Sequence, residues 1–208
     1  MLARGSLSWI GVVFLFTLVT GYFSRLRAGS ILLYFLFMTG IILTLFFIVF
    51  FRDPERTPPG DNDDMVSPAD GTVVTVTDRT IHIFMNIYDV HVNRAPLSGT
   101  VTQVDYKPGG FIPAFNKDSD INERNHVVIE GDYGSLELTQ IAGILTRRIV
   151  SYTSEGSHVE RGERIGMIRF GSRVDVVIPE GYRFIVMKGD RVTAGETIIA
   201  MVKGKIRG

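Results

Sequence analysis

Two long uncharged stretches stand at the start of the chain, and short alternating runs follow them. Residues 7–23 and 31–51 carry no charged side chain, and each approaches the roughly 20 apolar residues that a helix needs to cross a bilayer. The sequence Y-F-S-R at the end of the first stretch is a poor signal-peptide cleavage site, and the second stretch follows at once. We therefore expect two retained membrane helices.

Beyond residue 64 the pattern becomes that of a β domain. Short runs rich in β-branched residues are separated by glycine and proline, and no long helical stripe interrupts them. The predicted strands are 71–76, 81–87, 100–106, 126–130, 135–141, 163–170, 174–178, 184–186 and 197–202. The charged, proline-rich stretch before them indicates a linker. We predict a membrane anchor at 1–51, a linker at 52–64 and a mainly β domain at 65–208.

Two segments of the β domain repeat the pattern V-x-x-G-x-x-[IV], one from Val159 and one from Val186. The repeat resembles the hairpins of biotinyl and lipoyl carrier domains, which implies a barrel-sandwich-like fold. A fold likeness of this kind says nothing by itself about function.

Composition narrows the function classes. The chain has 22 basic and 22 acidic residues, so nothing favours a nucleic-acid partner. It has no cysteine, which excludes disulfides, thiolate metal sites and cysteine nucleophiles. Its apolar residues, 45% of the total, are concentrated before Phe51, where the two membrane helices are expected.

The pair Gly171-Ser172 stands between two runs of strand character. By local pattern alone such a pair is a bend or a bulge. Glycine also lets the backbone enter conformations that are closed to other residues, so the Ser172 hydroxyl could face the carbonyl of its own preceding peptide. That geometry permits an N-to-O acyl shift, followed by chain scission and conversion of residue 172 to a pyruvoyl group.

The surrounding motifs resemble the phosphatidylserine decarboxylase family. In order they are F-F-R-D-P-E-R, V-S-P-A-D-G, V-H-V-N-R-A-P-L-S-G, K-P-G-G-F, N-E-R and F-G-S-R-V-D-V-V-I-P. The last motif is similar to the short form of the family's processing site, which reads G-S where longer bacterial members have L-G-S-T. The resemblance implies self-cleavage between Gly171 and Ser172, into chains 1–171 and 172–208, and then decarboxylation of a serine phospholipid. That lipid is phosphatidylserine or its ether-linked equivalent, archaetidylserine.

The resemblance also implies roles for individual residues. Self-cleavage needs a base, and His91 matches the family's histidine in that role, with Asp70 as the carboxylate that orients it and Ser172 as the nucleophile. By residue type alone, a structural histidine and a turn aspartate are the preferred interpretations, and the resemblance reverses that preference. Longer members carry D-Y-H-R-V-H, with the first histidine implicated in decarboxylation, but Tyr88 occupies that position here. The proton donor of the second reaction is therefore open among Tyr88, His126 and a water molecule.

The remaining expectations concern ligands and location. Arg94, Phe111 and Arg124 are candidate wall or head-group contacts. The resemblance implies a covalent pyruvoyl group made from Ser172, with no metal and no pyridoxal phosphate. The partners expected are a membrane lipid and the chain's own two fragments, and homo-oligomerisation is left open.

Arginines flank both apolar stretches, so the positive-inside signal is divided. We expect a hairpin in the cell membrane with a cytoplasmic β domain, because the substrate is made there. The alternative function is a membrane-anchored carrier or scaffold domain that never cleaves itself.

Overall fold

The computed structural model describes residues 1–109, 122–143, 149–169 and 172–205. It divides into two compact units, Met1–Pro54 and Glu55–Gly208. The first unit contains two helices, and the second contains the strands.

The first unit is a helical hairpin of α1 (Leu7–Leu26) and α2 (Ile31–Phe50). The helices approach closely where Thr17 and Thr44 share a hydrogen bond of 3.1 Å, and a Cβ added to Gly40 would lie 2.6 Å from the Thr17 hydroxyl. Small residues at such a crossing let two backbones pack without large side chains between them. Most of the other side chains are apolar and exposed, and both helices are long and apolar enough to cross a membrane.

The second unit is built from fourteen strands among its described residues. They are β1 (Met65–Val66), β2 (Gly71–Val76), β3 (Thr80–Met85), β4 (Val92–Arg94), β5 (Gly99–Lys107), β6 (Arg124–Gly131), β7 (Gly134–Ala142), β8 (Ile149–Ser151), β9 (His158–Val159), β10 (Arg164–Ile168), β11 (Ser172–Val177), β12 (Tyr182–Phe184), β13 (Arg191–Val192) and β14 (Ile198–Val202). With the two apolar helices, they confirm the predicted mainly β fold class.

The strands form three antiparallel sheets. The largest has the order β13-β2-β3-β11-β7-β6-β5-β9, and the two smaller sheets have the orders β1-β14-β12 and β4-β10-β8. No closed barrel is present in the part of the chain that the structure describes. Side chains alternate along each strand, so Val174 and Val176 of β11 face a core that all three sheets share.

The two repeated segments contain turns of the same geometry, but neither segment forms a hairpin. In each, the glycine has a positive φ, 81° at Gly162 and 100° at Gly189. In each, the acidic residue after the glycine accepts a hydrogen bond from the first residue of the turn, to Glu163 at 2.8 Å and to Asp190 at 2.9 Å. The strands on either side belong to different sheets, because these turns carry the chain from one sheet to another instead of reversing it within a sheet.

Most of the segment predicted as a linker is attached to the β unit, which begins at Glu55. The Arg161 guanidinium donates to the carbonyls of Pro59 and Asp64, at 3.0 and 2.8 Å. The Lys205 ammonium also lies 2.6 Å from a carboxylate oxygen of Asp63. The second half of the predicted linker is therefore held by hydrogen bonds and ion pairs to distant parts of the β unit.

Candidate active site

Ser172 is the first residue of β11, in the middle of the large sheet. Its cross-strand partners are Met85 of β3 and Ala142 of β7. The residue is 0% exposed, and its Oγ has no hydrogen-bond partner among the residues described. A buried hydroxyl without a partner loses its bonds to water and gains nothing in exchange, so such groups are rare and often functional. Gly171, the other half of the predicted cleavage site, lies outside the described residues.

His91 is fully buried and stands directly before β4. Its Nδ1 lies 2.8 Å from the carbonyl oxygen of Asp89, so Nδ1 carries the proton and donates it there. The basic lone pair is then on Nε2, as a general base requires. The sequence predicted His91 in a loop facing a site, and the structure adds the backbone acceptor that selects its tautomer.

Two backbone connections bring His91 toward Ser172. The His91 carbonyl accepts a hydrogen bond of 3.1 Å from the N–H of Ile168, which precedes Ser172 by four residues. On the other side, the chain leaves Met85, the cross-strand partner of Ser172, and reaches His91 after one turn. The predicted base and nucleophile therefore belong to one region of the core.

Asp70 reaches His91 through the backbone. Its carboxylate forms a two-pronged ion pair with Arg56, and also accepts the N–H of Ala194 at 2.8 Å and that of Val90 at 3.4 Å. Val90 directly precedes His91. The contact with Val90 therefore fixes the backbone that carries the ring.

Three buried amide side chains near the site were missed by the sequence reasoning. Asn125 donates to Gln140 at 3.0 Å, and Gln140 donates to Asn93 at 2.8 Å. The Asn93 amide then has Met85 Sδ as an acceptor at 3.8 Å. Each of the three is at most 1% exposed. The alternation of side chains along an extended chain could have found two of them, because residues two apart lie on the same face. Asn93 is two residues from His91, and Gln140 is two residues from Ala142, the cross-strand partner of Ser172.

Tyr88 and His126 lie in different structural elements. Tyr88 is 62% exposed in the turn before His91, and the Arg191 guanidinium lies 5.9 Å from its ring centroid. His126 is half-buried on β6, with its Nδ1 3.0 Å from the Thr139 hydroxyl. Thr139 pairs with Asp175, which points away from the core, whereas Ser172 points into it. Tyr88 is therefore the nearer of the two to His91 along the chain, and His126 lies on the opposite face of the sheet from Ser172.

The structure describes two of the three candidate wall or head-group contacts, and they lie in different places. Arg94 is buried and donates to the Gly162 carbonyl at 2.8 Å, which joins β4 to the first repeated turn. Arg124 is half-buried and lies in one cross-strand row with Ile141 and Arg173, on the outer face. Phe111 lies outside the described residues.

The outer face beside Ser172 carries a group of coupled charges. Arg173 makes a two-pronged pair with Asp175 at 2.8 and 2.9 Å. Burial raises the pKa of Asp175, while Arg173 and His82 oppose the rise. Burial also lowers the pKa of His82, which lies 3.9 Å from Asp175. Among the residues described, no group of three or more histidine, aspartate or glutamate side chains could hold a metal ion.

Comparison with known proteins gives the class of protein to which this buried serine and histidine belong. The profile of the family described as phosphatidylserine decarboxylase matches residues 43–200, which include Asp70, His91 and Ser172. The chain therefore belongs to the phosphatidylserine decarboxylase family, and the prediction of a carboxy-lyase is confirmed.

Individual relatives match over most or all of the chain. A protein of Methanosarcina mazei, provisionally named archaetidylserine decarboxylase proenzyme, is 50% identical over 203 residues, 98% of each chain. A protein of Methanococcoides burtonii with the same provisional name is 50% identical over 210 residues, 100% of each chain. The phosphatidylserine decarboxylase proenzyme of Streptomyces griseus is 53% identical over 155 residues, 72% of this chain and 71% of its own.

Proposed function

We propose that this chain cleaves itself between Gly171 and Ser172, and that the product decarboxylates a serine phospholipid to the ethanolamine phospholipid. The observation that carries the proposal is the Ser172 hydroxyl, which is buried and lacks a hydrogen-bond partner among the described residues. The family match supports the same chemistry, since its members are named as decarboxylases and several relatives as proenzymes.

Self-cleavage and pyruvoyl formation together consume one water molecule and release one molecule of ammonia. Ser172 Oγ attacks the carbonyl carbon of Gly171, the C–N bond breaks, and the amide becomes an ester with a free amine. Loss of the Ser172 α-proton then expels the Gly171 carboxylate and leaves dehydroalanine at residue 172. Water replaces the nitrogen of that residue, ammonia departs, and a pyruvoyl group blocks the new N-terminus.

His91 acts as the base in the first step. Its Nδ1–H is held by the Asp89 carbonyl, so Nε2 accepts the proton of the Ser172 hydroxyl. Asp70 is a positioning residue that fixes the backbone at Val90 and carries a negative charge in the same part of the core. Its charge also helps to accommodate the positive charge that His91 acquires as it takes the proton.

The chemistry that the pyruvoyl group supplies is that of an electron sink bound covalently to the protein, reactive toward a primary amine. The surroundings of residue 172 fit such a group, because Ser172 is enclosed and bulk water is excluded from it. Tyr88 is the proton donor that the geometry favours over His126, because it belongs to the turn that holds His91. Of the two described candidates for head-group contact, Arg94 belongs to β4, the strand that directly follows His91, whereas Arg124 lies on the outer face of the sheet.

The first experiment measures whether the chain is cleaved. The full-length protein is purified in detergent and its intact mass is compared with that of Ser172→Ala. We expect fragments 1–171 and 172–208 from the wild type, with the smaller fragment blocked by pyruvoyl, and a single chain from the variant. A single unmodified chain from the wild type would refute self-cleavage and leave the carrier or scaffold function ahead.

The second experiment measures decarboxylation in mixed micelles. Phosphatidylserine and archaetidylserine are supplied in turn, because both present the same serine head group and differ only in the glycerol linkage. We expect both head groups to lose carbon dioxide, and free serine to react far more slowly. Tyr88→Phe should cleave normally and lose turnover, whereas His126→Gln should keep both reactions. Normal turnover in Tyr88→Phe would remove the tyrosine from the mechanism.

We also propose that the β unit lies on the cytoplasmic side of the cell membrane. The two apolar helices support membrane association, and the lipid substrate resides in the membrane itself. A reporter fused to the C-terminus should be active inside the cell. Activity of that reporter only outside the cell would reverse the orientation.

A further inference from the structure

The turn before His91 is held by a buried carboxylate. Asp89 is 3% exposed, and its Oδ2 accepts the N–H of Asn86 at 2.7 Å, while its own N–H donates to the Asn86 carbonyl at 2.9 Å. Its carbonyl accepts the proton of His91 Nδ1. Asp89 therefore holds the turn through its side chain and holds the His91 ring through its backbone.

The charge of Asp89 is balanced by Arg191, from a distant part of the sequence. The Arg191 guanidinium lies 2.6 Å from Oδ1 and 3.5 Å from Oδ2 of Asp89. The hydrogen bond to Asp89 raises the pKa of Arg191, which keeps the guanidinium charged. The same guanidinium faces the ring of Tyr88. The Arg191 guanidinium therefore contacts both Tyr88 and Asp89, the two residues directly before Val90.

We infer that Arg191 is a positioning residue for His91, acting through Asp89. The inference rests on the proposed function, in which His91 is the base for self-cleavage. Without Arg191, the buried Asp89 carboxylate would lose its cationic partner, and a buried charge without one is strongly disfavoured. The turn would then relax toward water, the Asp89 carbonyl would leave His91 Nδ1, and the ring would lose its fixed tautomer.

The origin of Arg191 gives the contact its significance. Arg191 begins β13, which pairs with β2 through Arg191 opposite Thr72 and Val192 opposite Gly71. It therefore belongs to segment 172–208, beyond the proposed cleavage site, while His91 belongs to segment 1–171. Ala194, three residues further on, also joins the two segments, because its backbone N–H donates to the Asp70 carboxylate at 2.8 Å. The base is thus assembled only when the C-terminal segment has docked, so cleavage should wait until this part of the fold is complete.

The test compares two variants that keep the aliphatic stem of the side chain. Arg191→Met removes the charge, and Arg191→Lys retains it. Glu180→Gln is the matched control, because it breaks the exposed pair between Arg79 and Glu180, 3.4 Å apart, which also joins the two segments. Full-length precursor is made by cell-free synthesis with detergent present, and the appearance of fragment 172–208 is followed in time.

We expect Arg191→Met to slow cleavage about tenfold to a hundredfold, part of what a general base contributes. Arg191→Lys should stay within about threefold of the wild type, because the charge still pairs with Asp89, and Glu180→Gln should be indistinguishable from the wild type. Wild-type cleavage rates in both Arg191→Met and Arg191→Lys would mean that only the aliphatic stem is needed there, and would overturn the inference.

Misfolding is tested separately, by thermal unfolding of each variant combined with Ser172→Ala. Asp89→Asn serves as a second variant, since it removes the same ion pair and leaves residue 191 intact. Recovery of the wild-type cleavage rate in Arg191→Met and Asp89→Asn at low temperature would assign the effect to stability and overturn the inference. Failure of the wild-type chain to cleave would instead refute the proposed function.

Discussion

Replacing Asp70 by asparagine removes one negative charge from a buried ion pair while keeping the shape of the side chain. The side chains of Arg56 and Asp70 are 6% and 13% exposed, so water contributes little to either charge. The Oδ1 atom accepts hydrogen bonds from Arg56 and from the N–H of Ala194, and Oδ2 accepts them from Arg56 and from the N–H of Val90. Asparagine keeps one of these acceptors and replaces the other by a donor.

The expected cost follows from these contacts. Removing one partner of a buried ion pair typically costs about 3–5 kcal/mol. The lower end applies here, because the Glu196 carboxylate, 3.9 Å from Arg56 Nε, remains to compensate the guanidinium. For a unit of this size, about 3 kcal/mol corresponds to a fall of roughly 6–12 °C in the unfolding temperature.

Both stability and cleavage are measured, on different backgrounds. Thermal unfolding of the strand signal is followed by circular dichroism in Ser172→Ala, so that scission does not change the molecule during the scan. Cleavage rates are measured without that substitution. Arg56→Gln is the matched variant, because it breaks the same ion pair and leaves Asp70 able to accept from Val90.

The two variants should differ in cleavage more than in stability. We expect both to lower the unfolding temperature, and Asp70→Asn to slow cleavage further, because only it disturbs the contact with Val90 beside His91. An unchanged unfolding temperature in Asp70→Asn would refute the ion-pair reasoning. Equal cleavage rates in the two variants would show that Asp70 acts only as the partner of Arg56.

Three further predictions concern the core and the outer face. Gly166→Ala should cost about 1–3 kcal/mol, because the added Cβ would lie 2.8 Å from the Gln140 amide nitrogen and 2.9 Å from a backbone oxygen. Tyr182→Phe should cost about 1 kcal/mol, because the phenol donates to the Asp63 carbonyl at 2.9 Å. The lowered pKa of His82 means that its contribution to stability is present above its usual pKa and lost as the pH falls through the folded value. His82→Gln should therefore lose less stability than the wild type between pH 7 and pH 5.

The first of these has a matched control variant, and each has a result that would contradict it. Gly181→Ala, where nothing lies within 4 Å of an added Cβ, should unfold as the wild type does, and equal effects at residues 166 and 181 would contradict the packing argument. For Tyr182→Phe, an unchanged unfolding temperature would show that water replaces the phenol. For His82, parallel loss of stability on acidification in variant and wild type would assign the pH dependence to other groups. All three are measured by thermal unfolding in the Ser172→Ala background.

The sequence predicted the elements that hydrophobic periodicity defines. The helices α1 and α2 begin at the predicted residues, and β2 has the predicted bounds, because each is a long or strictly patterned run. Short strands such as β4 and β9 were missed, since two or three residues are too few to show a period. Those short strands matter for the site, because β4 fixes the position of His91.

Long-range polar contacts could not be predicted from local pattern. Arg56 lies in the segment predicted as a linker, and nothing in its local sequence indicates that it is the buried partner of Asp70. Arg191 is half-exposed and stands in an ordinary turn sequence, and only the pairing of β13 with β2 brings it to Asp89. Which residues meet across a sheet depends on register, and a sequence specifies register through the whole fold rather than at any one position.

The position of β11 between β3 and β7 has a consequence for how often this protein can fold. Segment 172–208 supplies the central strand of the large sheet, an edge strand of the same sheet and two strands of a smaller one. While the chain is continuous, these strands reach their places by closing loops within one molecule. If the chain is cut as proposed, regaining the structure after denaturation requires two molecules to meet, so recovery becomes dependent on concentration. The protein would then fold easily once, as a precursor, and the mature form would persist only as long as its two interleaved chains stayed together.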